Sequence, residues 1–233
     1  MSELKGKTIL VVGANGAFGT EFCHQLMNIG AQVIGTARAP ESASRLDANL
    51  AQRLLLDLNE STSIQTLADY LNGSNAELDG IVFASGLVAF GSVQETSAQI
   101  ATRLMQVNAL GQIDLANRLI PRLSASAAKN NEPFILTISG IISENPMAGL
   151  AAYSASKAAL LAYSKAAAKE IKKLGIRWLD ARPGHTDSGL ANRAIFGTAP
   201  NFGAGMAVPT VVTRMVSAIF DNETDLPSSS FQI

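Results

Sequence analysis

Two hydrophobic rhythms alternate along the chain. Short, almost wholly apolar runs occur at "KTILVVGA" (7–14), "AQVIGTAR" (31–38), "RLLLDL" (53–58), "LDGIVFASG" (78–86), "PFILTISG" (133–140) and "IRWLDARPG" (176–184). Between them, apolar residues recur every three or four positions. The runs have the length and composition of strands buried on both faces, and the intervening spacing is that of amphipathic helices. Phe18, Phe22, Leu26 and Ile29 mark a helix after the first strand, while Ile64, Leu67, Ala68 and Leu71 mark one over 61–71 that opens on capping residues. A long helical region is predicted over 97–128, with Pro121 as a kink or boundary. Another runs from about Leu150 to Leu174, and a last helix begins near Pro209. The closing "SSSFQI" (228–233) reads as a final edge strand.

Apolar strands alternating with helices predict a parallel sheet covered on both faces, because each crossover helix must bury its apolar stripe on that sheet. The expected fold is α/β, a single doubly wound parallel sheet with helices on both faces. No repeat, charge block or Pro/Ser-rich linker divides the 233 residues, and "KNNEP" (129–133) reads as a loop. One domain over 1–233 is therefore expected.

Composition narrows the function. A formal net charge of −1 and a pI near 6.1 supply no positive field for nucleic acid or an anionic membrane, so neither is an expected partner. Cys23 is the only cysteine and cannot form an intrachain disulfide; inside a predicted helix it reads as a small core residue. With no long apolar run, a cytoplasmic location is expected.

Chemistry enters at "VVGANGAFG" (11–19). Gly13, Gly16 and Gly19 lie directly between the first strand and the first helix. Glycines there let the backbone turn tightly and approach a pyrophosphate held at the positive end of the helix. Asn15 and Phe18, within the same turn, join the candidate cofactor-binding residues. At the end of the second strand, where an NAD site offers an acid to the ribose hydroxyls, the sequence has Thr36, Ala37 and Arg38. Arg38 can pair with a 2′-phosphate, which favours NADP(H) over NAD(H); a solvated surface arginine is the bland alternative. Asp57 either accepts from an adenine amino group or caps the following turn. In "AAYSASKAAL" (151–160), Tyr153 and Lys157 stand four residues apart, on one face of a helix. A phenol can give a proton to a carbonyl oxygen and take it back, and an adjacent ammonium lowers its pKa.

The glycine turn, Asn108 in "VNALG", Tyr153 and Lys157 in "YSASK", and "RPG" ending at Gly184 together resemble the short-chain dehydrogenase/reductase family, from Lys7 to about Ser188. The resemblance implies a Rossmann fold, with Tyr153 as general acid/base and Lys157 also holding the nicotinamide ribose. It implies that Asn108 anchors a water linking the lysine to solvent. Gly86, Pro183, Gly184 and Thr186 join the cofactor set, with Ser188 a second candidate beside Thr186. Two departures stand out. The family's serine, thirteen residues before the tyrosine, is here Gly140; Ser139 or Ser143 can present a hydroxyl in its place, and Ser139 is favoured. In "FASG" (83–86), Phe83 and Ala84 replace two asparagines common in the family, which reads as a stability variation. His185 is read as a loop residue beside the nicotinamide end, His24 as structural and Trp178 as packing.

The resulting expectation is an NADP(H)-dependent oxidoreductase that interconverts a carbonyl and an alcohol on a small, uncharged substrate, without metal. The stretch 190–207 is expected as a lid, and the long helices as a homodimer or homotetramer interface. The alternative is a dinucleotide-binding regulator or scaffold with the same fold and weak catalysis. A nucleotide-sugar epimerase ranks last, for want of a large C-terminal substrate domain.

Overall fold

The computed structural model describes residues 3–74 and 77–231. Its centre is a parallel sheet of β1 (Thr8–Val12), β2 (Gln32–Ala37), β3 (Gln52–Leu55), β4 (Gly80–Phe83), β5 (Phe134–Ile138), β6 (Arg177–Ala181) and β7 (Asp225–Leu226). The strand order is β3-β2-β1-β4-β5-β6-β7, parallel throughout. Chain direction across the sheet therefore reverses between β1 and β4. That reversal opens a crevice beyond the carboxyl ends of these strands, where ligands of doubly wound folds bind.

Alternation along each strand builds the two layers. Ile9 and Val11 of β1 face a core shared with Phe22, Cys23 and Leu26 of α1 (Ala17–Asn28) and with Val212, Met215 and Ile219 of α7 (Val208–Phe220). Leu10 and Val12 face the other way. Their core includes α3 (Ser61–Gly73), α5 (Gly111–Ala127) and α6 (Ala151–Ile171). The short α2 (Pro40–Ala43) follows β2, and α4 (Ala98–Met105) precedes α5. Cys23 is a buried core residue, and desolvation pushes its thiol up to about 12, which leaves it inert at neutral pH.

Two expectations from the sequence are corrected. The final strand is Asp225–Leu226, and Ser228–Phe231 forms a 3₁₀ turn instead; Gln232 and Ile233 lie outside the described residues. Pro121 sits inside α5, not at a boundary. The irregularity comes one turn before α5, where Gln106–Leu110 forms a π-helical turn between α4 and α5. Such bulges shift side chains off the helical register, and this one carries Asn108.

Candidate active site

The glycine turn is fixed by contacts as well as by pattern. Gly13 has φ +82, and a Cβ there would lie 2.9 Å from the Ser85 Cβ; a Cβ on Gly19 would lie 2.1 Å from the Gly13 carbonyl oxygen. Gly13 N–H donates to Thr36 Oγ1 (3.1 Å) and Ala14 N–H to the Thr36 carbonyl (2.8 Å), which tie the turn to the end of β2. Gly16 caps α1 without a side-chain hydrogen bond. The first-turn N–H groups of α1 are thus free of side-chain caps, the usual arrangement for a bound phosphate. This tight turn, with uncapped N–H groups at the start of α1 and no room for a Cβ at Gly13 or Gly19, fits a dinucleotide pyrophosphate.

From this turn a continuous cleft of about 1130 Å³ runs in both directions. One end is lined by Arg38, Ser42, Arg45, Asp57 and Asn59. The other is lined by Tyr153, Lys157, Gly140, Ile142, Leu190 and Phe202, and Asn15, Phe18, Gly86, Pro183, Gly184 and Thr186 line it too. Asp57 uses one carboxylate oxygen to cap its own turn, accepting from Asn59 N–H at 2.9 Å. Ser42 and Arg45 are lining residues that the sequence reading did not include; the short α2 carries Ser42, and the turn after it carries Arg45, which lines the same cleft as Arg38.

At the reacting end, α6 presents Tyr153 and Lys157 on one face. Lys157 is 6% exposed and donates to the Ile138 carbonyl at 2.7 Å. Burial pulls its ammonium down to about 8, against the raising effect of Asp180. Tyr153 packs on an apolar group formed by Val88, Phe90, Ile142 and Leu150, and burial pushes its phenol up to about 12. This is opposite in direction to a phenol governed by an adjacent ammonium. Desolvation of the phenolate dominates, and the lysine head is turned to a carbonyl.

Asn108, fully buried, spends its amide locally. Its Nδ2 donates to the Leu87 carbonyl (2.9 Å) and to Ser156 Oγ (2.9 Å), and its Oδ1 accepts from Leu87 N–H (2.8 Å). The side chain thereby staples the loop after β4 to α6. A Cβ on Gly86 would come 3.4 Å from Asn108 Oδ1 and 3.6 Å from Lys157 Nζ, so glycine keeps that wall open.

The hydroxyls of the two serines offered in place of Gly140 are both engaged by protein partners. Ser139 is fully buried and its hydroxyl donates to Asp180. Ser143 Oγ lies 2.7 Å from the Gly140 carbonyl, as its donor, and 3.1 Å from Ser139 Oγ. Gly140 itself has φ 74 and ψ 163, a region essentially reserved for glycine. The departure from the family pattern thus falls at a position whose backbone disfavours a serine.

The stretch 190–207 lies across this end. Its base is closed by the Thr186–Met206 bridge and by Met206 N–H donating to the His185 carbonyl at 2.9 Å. Its middle is held by Ile195 N–H to the Val88 carbonyl and Phe90 N–H to the Phe196 carbonyl, both 2.9 Å. His185 stacks near Phe202, with ring centroids 5.1 Å apart.

A sequence model described as short chain dehydrogenase matches residues 7–195. The chain belongs to the short-chain dehydrogenase family. As such it is an oxidoreductase of the nicotinamide-dinucleotide type. A dehydrogenase/reductase SDR family protein 7-like of Drosophila melanogaster is 25% identical, over 99% of this chain and 75% of that protein. The 3-oxoacyl-acyl-carrier-protein reductase FabG of Haemophilus influenzae is 26% identical, over 78% of this chain and 74% of its own. Among solved structures, a short-chain dehydrogenase of Burkholderia cenocepacia in complex with NADP superposes with a TM-score of 0.83 at 21% identity, covering 97% of this chain and 89% of that one. A 3-ketoacyl-acyl-carrier-protein reductase of Brucella melitensis complexed with NADH gives 0.85 at 19% identity, covering 98% and 100%. No helix of this dehydrogenase among the described residues is long and apolar enough to cross a membrane.

Beneath the reacting end, the dehydrogenase carries a polar cluster that the sequence did not announce. Asp180 and Arg182 of the β6 segment are 3% and 1% exposed. Arg182 pairs with Asp180 at 3.2 Å, with Asp225 at 2.7 Å and with Glu144. Strand spacing could have placed 180 and 182 on one face, but Glu144 and Asp225 reach them only through the tertiary fold.

Proposed function

We propose that this protein is an NADP(H)-dependent oxidoreductase interconverting a carbonyl and an alcohol on a small, uncharged substrate. The observation that carries the reading is one cleft joining Tyr153 and Lys157 to the glycine cradle and to Arg38. When bound, the nicotinamide supplies or accepts the hydride. Tyr153 gives the carbonyl oxygen its proton during reduction and removes it during oxidation. Lys157, charged, favours the phenolate left behind and holds the ribose. Arg38, assisted by Arg45, pairs with the 2′-phosphate. The apolar side chains around Tyr153 exclude water and favour a substrate without charge, and 190–207 serves as its lid. Asn108, through its bonds to Leu87 and Ser156, keeps the wall behind Lys157 in place. We further propose a single domain over 1–233 and a homo-oligomer formed through α4, α5 and α6.

The test is turnover of NADPH and NADH by the purified protein with a panel of aldehydes, ketones and quinones, beside Tyr153→Phe. The expected result is NADPH-dependent reduction that falls about 10²–10⁴-fold in the variant. Activity unaffected by the substitution would sink the acid/base role.

A second reading draws on the Ser139 and Ser143 hydroxyls, both engaged by protein partners. Loss of one donor to a developing oxyanion costs on the order of 10²–10³ in turnover. A dinucleotide-binding regulator with weak catalysis would have this site. NADPH binding without turnover on the whole panel would favour it.

A further inference from the structure

We propose that Asp180 is a positioning residue for Lys157: a buried carboxylate behind the end of β5 that keeps the lysine head charged and directed to the Ile138 carbonyl. The inference rests on the reading of Lys157 as part of the reacting site.

The geometry is an alternation of three consecutive residues. Thr137 Oγ1 donates to Asp180 at 2.7 Å, and Ser139 Oγ donates to the other carboxylate oxygen. Between them, the Ile138 carbonyl accepts from Lys157 Nζ at 2.7 Å. Asp180 sits directly opposite Thr137 in the β5–β6 register. Thr137 Oγ1 also lies 3.2 Å from Ser164 Oγ of α6, so the carboxylate occupies the face of the sheet that α6 covers. Both polar contacts of Lys157 and Asp180 thus run through one strand end, and any tilt of that end moves both.

Charge gives the arrangement a purpose. A buried ammonium needs a compensating anion, or it sheds its proton. Facing Lys157, α6 offers the neutral phenol of Tyr153, β5 a carbonyl, and the wall formed by Gly86 and Asn108 no charge. From β6 come Asp180 and Arg182. Arg182 does not cancel Asp180, because Glu144 and Asp225 share the same guanidinium. Arg182 is thus shared among three carboxylates, and Asp180 retains negative charge that favours the ammonium of the buried Lys157. Burial raises the Asp180 carboxyl, while the hydroxyls of Ser139 and Thr137 and the Arg182 guanidinium favour its ionised form. Ser139, offered in place of the family's serine at position 140, is on this reading an anchor of the carboxylate.

The interaction is reciprocal, which provides two independent measurements, neither needing substrate or turnover. In the first, the protein is labelled at lysine Cε and titrated by NMR, with Lys157→Met identifying the resonance. Asp180→Asn is expected to lower the Lys157 midpoint by on the order of one pH unit, whereas Ser139→Ala, which keeps the carboxylate, shifts it less. In the second, the Asp180 carboxyl carbon is followed in Lys157→Met, and its midpoint is expected to rise by a similar amount. A Lys157 midpoint unmoved in folded Asp180→Asn overturns the proposal. If Asp180→Asn does not fold, the second measurement decides: a raised Asp180 midpoint supports the coupling, and an unchanged one overturns it. Absence of turnover on every substrate would count against the proposed function without altering either midpoint.

Discussion

The turn after β1 and the turn after β5 both end at the same cleft, yet they relate to the family pattern in opposite ways. After β1, pattern and geometry coincide: Gly19 stands where a Cβ would press 2.1 Å from the Gly13 oxygen, and Gly13 adopts a positive φ. After β5, the residue that the pattern assigns to chemistry is Gly140, whose φ of 74 is not a serine conformation, and the nearby hydroxyls are engaged by protein partners. One turn is constrained by its own close packing, against Ser85 at Gly13 and against the Gly13 carbonyl at Gly19. The other is tied to a buried carboxylate, Asp180, through Ser139. The first turn thus matches the family pattern in residues and in backbone, while the second departs from it in residue and has a backbone that only glycine readily adopts.

The comparison can be broken most severely at the first turn. A glycine-to-alanine change inside a helix ordinarily gains up to about 1 kcal/mol. At Gly19 the clash with backbone atoms should reverse that sign, costing on the order of 1–3 kcal/mol and abolishing NADPH binding, as read by thermal melts and calorimetry. A stable Gly19→Ala protein that still binds NADPH would show that this turn is not constrained as described.

Next in size is the adenosine end. Arg38→Ala removes a charge-assisted hydrogen bond worth about 1.5–3 kcal/mol, so NADPH affinity should fall by roughly tenfold to a hundredfold while NADH affinity stays level. Arg45→Ala should act in the same direction, less strongly. Equal loss for both cofactors would mean that neither arginine reads the 2′-phosphate.

The second turn is sharpened by Gly140→Ser. A Cβ there meets only the Pro183 oxygen, at 3.7 Å, so space is not the obstacle. Strain is, at about 1–3 kcal/mol for a side chain held in that region. The variant should melt earlier without gaining turnover. A faster enzyme would show that the turn accepts the family's serine after all.

The smallest expected effect is on pH dependence. With Lys157 depressed to about 8, carbonyl reduction should decline as pH rises through 8. The stability contribution runs the other way. Between about 8 and the ordinary lysine value of 10.5, the unfolded chain binds a proton that the folded chain does not, so this group makes unfolding less favourable as pH rises. Tyr153 opposes that gain above 10, because its folded pKa of about 12 lies higher than its ordinary one. Activity and stability measured over pH 7–10 should therefore diverge. Parallel decline of both would contradict the Lys157 assignment.

Residues whose role is periodic or local were legible in advance. Ile9 and Val11 against Leu10 and Val12, the apolar stripes of α1 and α3, and the glycines at 13 and 19 follow from spacing and backbone sterics, which a sequence states directly. Tyr153 and Lys157 were legible for the same reason, since four residues on a helix set them one turn apart. The last strand was misplaced, because two residues of edge pairing at Asp225–Leu226 carry too little pattern to outweigh the "SSSFQI" run. Pro121 was read as a kink or boundary, while the break between α4 and α5 came from a π turn with no proline in it.

By itself, then, the sequence determined the doubly wound sheet, the tight glycine turn before α1 and the one-turn spacing of Tyr153 and Lys157 on α6, because each depends on neighbours within a turn or on a repeating period. Only the tertiary structure decided where hydroxyls and charges point. Ser139 donates to Asp180, Arg182 draws in Glu144 and Asp225 from distant segments, and burial sets Tyr153 and Lys157 apart in pKa. These outcomes depend on which groups share a dry interior, where an unpaired charge costs several kcal/mol, and sequence separation does not encode that company.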